Sequence, residues 1–234
     1  MDIKETYKNF CERKGIPFQI NESVAPFDDT TLFCPAGMQQ FKPLFKDPTH
    51  KGTQANIQSC IRMKDIEEIG DSTHLLYFNM MGLFSFRELT VKQTIDTWME
   101  FLTNDLDLKP DYVTIHPDRK EWKNFYEEHE VEVKESEECK WSDGEIGGYC
   151  TEFFINDVEI GNIVNPLGDC IDVGFGMERL EMFVNGKILN REQTLKDAIK
   201  KIMDSGYSPS NTNQGYVLKR LLRQLEKTGS ETIL

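Results

Sequence analysis

The stretch "CTEFFINDVEIGNIV", residues 150 to 164, constrains the fold more than any other part of the chain. Two runs rich in β-branched and aromatic residues flank "IND", and Asn-Asp between such runs reads as a hairpin turn joining antiparallel strands. Further strands are read at "TTLFC", "NIQSCIRM", "HLLYFNMMGLFSF" and "DYVTIHP", which are short or β-rich and separated by polar turns. Two amphipathic helices alternate with them. Ile3, Tyr7 and Phe10 recur at helical spacing up to Gly15 and Pro17, and Val91, Ile95, Trp98 and Leu102 share one face of a second helix. Helices bracketing successive hairpins predict an α+β fold, an antiparallel sheet with helical cover.

The pattern changes after residue 183. Leu195, Ala198, Ile199, Ile202 and Met203 mark a packed helix face, the polar loop "SGYSPSNTNQG" follows, and Leu218, Leu221, Leu222 and Leu225 mark another. With 234 residues there is room for one sizeable core and a small appendage. The reading is a main domain over 1–187 and a helical extension over 188–234. The last helix is basic on its other side, where Lys219, Arg220, Arg223 and Lys227 project from neighbouring turns.

That basic face matters because the chain is otherwise acidic, with a formal net charge of -13. Such a surface excludes indiscriminate nucleic-acid binding, since phosphate attraction needs clustered cations. Any contact with nucleic acid must be local. The acidic run "YEEHEVEVKESEE", residues 126 to 138, reads as a solvated loop or strand edge. No apolar run is long enough to span a bilayer, so no membrane partner is expected, and the predicted location is cytoplasmic. The six cysteines form no CxxC pair and have no histidine at zinc spacing, which predicts free thiols.

Two constellations carry chemistry. In residues 58 to 78, a strand bearing Arg62, a loop bearing Lys64 and a return strand bearing His74 and Phe78 would gather cationic groups near one end of a hairpin, a setting that suits a polyphosphate. In "CIDVGFGMERLEMF", Gly174 and Gly176 let a ligand approach the backbone, and Arg179 lies within reach to cover an aromatic base whose other face Phe78 would meet.

The ordered set "FCPAGMQQFKPLF", "QSCIR", "GLFSF", "CTEFF", "EIGNIV" and "IDVGFGMERLE" resembles the catalytic core of the alanyl-tRNA synthetases, a class II family. "SGYSPSNTNQGYVLKRLLRQ" is similar to the start of that family's tRNA-recognition domain. The resemblance implies a six- or seven-stranded antiparallel class II sheet, with ATP and magnesium as substrate and metal. It implies that Arg62 neutralises the α-phosphate, that His74 and Lys64 assist, and that Phe78 and Arg179 clamp adenine beside Gly176. Asp172 and Asn162 would hold the amino group of alanine, with Trp141, Met38 and Gly174 around its side chain and Glu159 as a magnesium ligand. Asn211 or Asn213 would read an acceptor stem whose phosphates meet Lys219, Arg220 and Arg223.

The sequence also departs from the family. The loop between Arg62 and His74 is short, Gly161 stands where the family has tryptophan, "GEIGGYCTE" replaces a Gly-Pro-Cys-Gly-Pro-Cys element, and the segment before the tRNA-contacting helix is abbreviated. Loss of a large ring at 161 would enlarge or loosen the amino-acid pocket, leaving glycine and serine beside alanine as substrates. Without the family's editing domain, neither proofreading nor zinc is expected. A monomer or weak dimer that charges a tRNA or tRNA-like acceptor stem is the leading reading. A ligase serving a non-tRNA acceptor, and a catalytically silent module that binds ATP or RNA, are the alternatives.

Overall fold

The computed structural model describes residues 1–63, 75–188 and 190–227. The sheet has nine strands among these residues: β1 (Phe18–Asn21), β2 (Gly52–Ile61), β3 (Tyr77–Phe86), β4 (Tyr112–Ile115), β5 (Glu132–Glu135), β6 (Lys140–Ser142), β7 (Gly147–Ile155), β8 (Val158–Pro166) and β9 (Cys170–Gly176). Their spatial order is β1-β2-β3-β9-β8-β7-β4-β5, with β6 paired to β7 beside β4. The central pairings are antiparallel, and parallel pairs lie at the two ends, β1 with β2 and β4 with β5. The sheet is thus wider than the predicted six or seven strands, because short strands on both flanks complete its edges. The 150–164 hairpin forms as predicted. Asn156 and Asp157 adopt positive φ values of 50° and 60°, the left-handed pair that a tight two-residue turn requires.

Six α-helices accompany the sheet among the described residues: α1 (Ile3–Lys14), α2 (Lys42–Lys46), α3 (Val91–Glu100), α4 (Met177–Asn185), α5 (Arg191–Asp204) and α6 (Asn213–Lys227). Local chemistry sets their ends. The Asp2 carboxylate accepts from the Glu5 amide at 3.1 Å to start α1, and Gly15, at φ 68°, closes it. Thr90 and Gln93 form a reciprocal capping box at the start of α3, which continues past Glu100 as one wider turn over Phe101–Asp105.

Side-chain alternation divides the sheet into two unlike faces. On one, Ile57, Leu83, Val173, Ile163, Phe153 and Ile115 meet α1, α3 and α4 in the main core. Trp98 of α3 stacks flat on Phe175 of β9, with ring centroids 4.2 Å apart and 5° between planes. Each large apolar side chain withdrawn from water here contributes about 1.5–3 kcal/mol, so Trp98→Ala would remove about 3–5 kcal/mol and leave a cavity over β9. The other face carries Asn56, Phe78, Met80, Asn162, Asp172 and Gly174, and much of it remains open.

The predicted C-terminal helices pack against this open side's margin. Leu195, Ala198, Ile199 and Ile202 of α5 and Leu218, Leu221 and Leu225 of α6 join Val24, Phe33, Ile61 and Leu76 in a second core. Met203 lies outside it at 39% exposure, so the apolar face of α5 is narrower than its sequence suggests. "TTLFC" is not a strand. Asp28 accepts from the Thr30 amide at 2.9 Å, and Pro26 and Pro35 flank the stretch, so turn chemistry prevails over β propensity. The acidic run divides between the end of a 3₁₀ segment (Pro117–His129) and edge strand β5, whose Glu132, Lys134 and Glu135 face solvent. No helix among the described residues is long and apolar enough to cross a membrane.

Candidate active site

The open face of β3, β9 and β8 forms the floor of a cleft. Arg62, Phe78, Trp141, Glu159, Asn162, Asp172, Gly174, Gly176 and Arg179, all singled out from sequence, line it. They come from five separate stretches of chain, and the sheet register brings them together. Met80 pairs with Gly176, Asn162 with Gly174, and Val164 with Asp172 across neighbouring strands.

One end of the cleft is cationic and accessible. Arg62 leaves the end of β2 exposed, its Nε donating to the Pro35 carbonyl at 3.1 Å and its guanidinium lying 5.0 Å from the Phe78 ring centroid. Phe78 is therefore covered on one side by Arg62, where the sequence reading paired it with Arg179 across a base. Arg179, in the first turn of α4, donates from Nη1 to the Glu159 carbonyl at 2.6 Å and sits 3.8 Å from the Glu159 carboxylate. These contacts hold two guanidinium groups at one mouth, and planar paired donors suit phosphate oxygens. Lys64 and His74 lie outside the described residues.

The other end is acidic and shielded. Asp172 is only 8% exposed, and burial, aided by the negative charge of Asp143, raises its carboxyl from the usual 3.8 to about 7. Asp143 in turn is paired to Lys42 at 2.9 Å, and Lys42 also reaches Asp28 at 3.3 Å, which ties two loops together over this end. A buried acid without a cation of its own is a receptor for an ammonium group. Trp141 closes the space beside it and packs against Cys139, Cys150 and Val164.

The glycines act in different ways. A Cβ on Gly174 would come 3.1 Å from the Met80 sulfur, so a side chain there would crowd the cleft floor. One on Gly176 would meet only the Arg179 side chain, at 3.6 Å or more, an ordinary contact. Gly161 corrects the sequence reading. A Cβ there would come 2.3 Å from the Phe175 ring, which belongs to the core stacked on Trp98, so the missing side chain makes space for Phe175 rather than for a substrate.

Met38 does not line the cleft. The Asn56 amide donates to the Gly37 carbonyl at 3.1 Å, and Met38 is buried among Phe41, Phe45, Phe84 and Phe86, leaving Ala36 at the cleft wall. Sequence reasoning passed over Glu178. Its carboxylate accepts from the Asn79 amide at 2.9 Å and from the Asn79 side chain at 2.8 Å, yet burial still raises it to about 7. The signal was its place beside Arg179 at the start of a helix, where an acid is favoured for the helix dipole alone and so attracts no notice. Asn211, Asn213, Arg220 and Arg223 are exposed away from the cleft lining, and Lys219 donates to Asn211 Oδ1 at 2.9 Å.

Similar proteins share this architecture. The apo histidyl-tRNA synthetase of S. aureus superposes with a TM-score of 0.53 at 12% identity, covering 97% of this chain and 82% of that one. The pyrrolysyl tRNA synthetase PylSc of Desulfitobacterium hafniense gives 0.51 at 12% identity, covering 80% and 69%. In sequence, the alanine--tRNA ligase of Tropheryma whipplei is 28% identical over an alignment 296 positions long that covers 95% of this chain and 33% of that protein. That of Endomicrobium trichonymphae is 29% identical, over 97% and 34%. The chain spans about a third of the length of these curated relatives. The family model for class II (A) tRNA synthetases matches residues 2–167, most of the folded body described above, and the chain belongs to that family.

Proposed function

We propose that this protein activates a small amino acid, alanine foremost, as an aminoacyl adenylate and passes the aminoacyl group to an RNA acceptor stem. The observation that carries the reading is the polarity of one cleft: two arginines at its accessible end and a shielded, unneutralised aspartate at the other. ATP and an amino acid placed head to head match that polarity. The carboxylate of the amino acid attacks the α-phosphorus, an O–P bond forms, and the bond to pyrophosphate breaks.

Positioning and charge neutralisation are enough for this chemistry, and no protein nucleophile takes part. Arg62 would meet the charge that builds on the α-phosphate, while Arg179 and Phe78 would hold the purine once Arg62 turns from the ring to phosphate. Asp172 would accept from the substrate ammonium, with Asn162 beside it. Glu159 and Glu178 supply hard oxygen donors in the same cleft, a donor set that fits magnesium, which would screen the β- and γ-phosphates. The tight floor at Gly174 and the wall at Trp141 favour a short side chain. A missing methylene changes discrimination by only about 1–3 kcal/mol, so glycine and serine are the natural competitors.

For the second half-reaction, Arg220 and Arg223 on α6 would contact stem phosphates, with Asn211 and Asn213 at the preceding loop reading base edges. The test is amino-acid-dependent ATP–pyrophosphate exchange across all twenty amino acids, with Arg179→Ala as the control. Exchange with alanine that collapses in the variant supports the reading. Absence of exchange with every amino acid, with and without RNA, sinks it and leaves a binding module.

A further inference from the structure

Outside the residues used above, three side chains of metal-binding type converge on the substrate face of the sheet. Cys139 stands immediately before β6, and its carbonyl accepts from the Cys150 amide at 3.0 Å, extending the β6–β7 ladder by one cross-strand pair. Glu152 lies two residues further along β7, on the same face, opposite Thr114 of β4. One donor atom from each of Cys139, Cys150 and Glu152 falls within 4.8 Å of the others. Both cysteines are buried, at 0% and 2% exposure.

We propose that Cys139, Cys150 and Glu152 bind a zinc ion. Two thiolates and a carboxylate are a borderline-soft donor set that selects zinc over magnesium, and three protein ligands leave a fourth tetrahedral position for water or another donor. The surroundings suit a cation. No Lys or Arg pairs with Glu152 among the described residues. Thr114 supports the set from behind, its hydroxyl 3.0 Å from the Cys139 sulfur and 3.2 Å from a Glu152 oxygen. Zinc would displace the thiol protons to solvent, so binding would strengthen with pH.

The expectation of free thiols came from linear spacing, with no CxxC and no neighbouring histidine. Here the hairpin, not local spacing, brings Cys139 and Cys150 together. The site also borders the amino-acid end of the cleft: Asn162 and Val164, the cross-strand partners of Glu152 and Cys150, line it, and so does Trp141, packed on both cysteines. Resting on the functional reading above, the ion would act as a positioning element that fixes the Trp141 wall against the amino-acid side chain.

The decisive experiment is metal analysis of the full chain, prepared with zinc and passed through gel filtration under reducing conditions. One zinc per chain is expected. Glu152→Gln should weaken retention by roughly a hundredfold and Cys150→Ser should abolish it, while Cys34→Ser should leave it unchanged. Cobalt substitution of the unaltered protein should give thiolate-to-metal charge-transfer and tetrahedral d–d bands, a readout that needs no variant. Failure to retain zinc with the thiols reduced, equal retention in Cys150→Ser, or a Cys139–Cys150 disulfide in the non-reduced peptide map would each overturn the site. Because these readouts need no substrate, loss of exchange with zinc bound would count against adenylate formation alone.

Discussion

The two ends of the cleft solve opposite electrostatic problems. At one, Arg62 and Arg179 keep their guanidinium groups near solvent, one on a ring and a carbonyl, the other on the Glu159 backbone. Their charge costs little to maintain because water still reaches it. At the other, Asp172 lies beneath the Lys42–Asp143 bridge, and its ionised form is disfavoured until a cation arrives. Under the proposed function, the contrast teaches that a site for a flexible polyanion can stay open, whereas a site for a small zwitterion must exclude water, so that one ion pair carries selectivity.

Breaking the open end should have the largest effect. Arg179→Ala should lower exchange by about 10²–10³-fold, the usual loss of one preorganised group facing developing charge, while the folded state survives because the side chain is outside the core. Breaking the closed end comes next. Asp172→Asn should raise the amino-acid KM by roughly a hundredfold and leave the ATP KM nearly unchanged, since a charge-assisted hydrogen bond is exchanged for a neutral one. Steady-state exchange in both substrates separates the two.

Acidity sharpens the contrast. The Asp172 carboxyl rises from 3.8 and the Glu178 carboxyl from 4.5, both to about 7, so between those limits the folded chain holds protons that the unfolded chain has released. The contribution of these two groups to the stability of the ligand-free protein should therefore be fully present below pH ~4 and be lost as pH rises through ~7. Amino-acid binding should move the other way, strengthening about tenfold from about pH 6 to about pH 8 as Asp172 ionises, and Asp172→Asn should flatten that profile. Thermal melts and exchange kinetics over the same pH series test both signs. The smallest expected effect on catalysis is that of Gly161→Ala. Its Cβ would press on Phe175 in the core, costing about 1–3 kcal/mol in a denaturation series while substrate KM values change little.

Much of the fold was legible because its signals are local. Thr90 and Gln93 cap α3, Gly15 ends α1, and Asn156-Asp157 turns the β7–β8 hairpin, each through bonds or dihedral preferences spanning a few residues. "TTLFC" is not a strand because an Asp28 turn and two prolines outweigh its β propensity, and β1 and β6 escape notice because edge strands carry little apolar alternation, while β5 falls in the run read as a solvated loop or strand edge. In the cleft, Arg62, Phe78 and Arg179 were identifiable from residue type and order, and Asp172 from the family resemblance. Glu178 was not, since its burial depends on Asn79, far away in the chain.

By itself, then, the sequence determined the strand and helix inventory of the centre, the hairpin turn, and the residue types that the proposed function draws on, all consequences of short-range pattern. Only the tertiary structure decided that Gly161 yields space to Phe175, that Met38 turns into a core cluster, that Asp172 holds its proton near neutrality, and that Cys139 and Cys150 share a face with Glu152. These properties depend on what lies across the sheet or above it. Register and burial are set by the summed packing of distant segments, and no local stretch of chain contains that information.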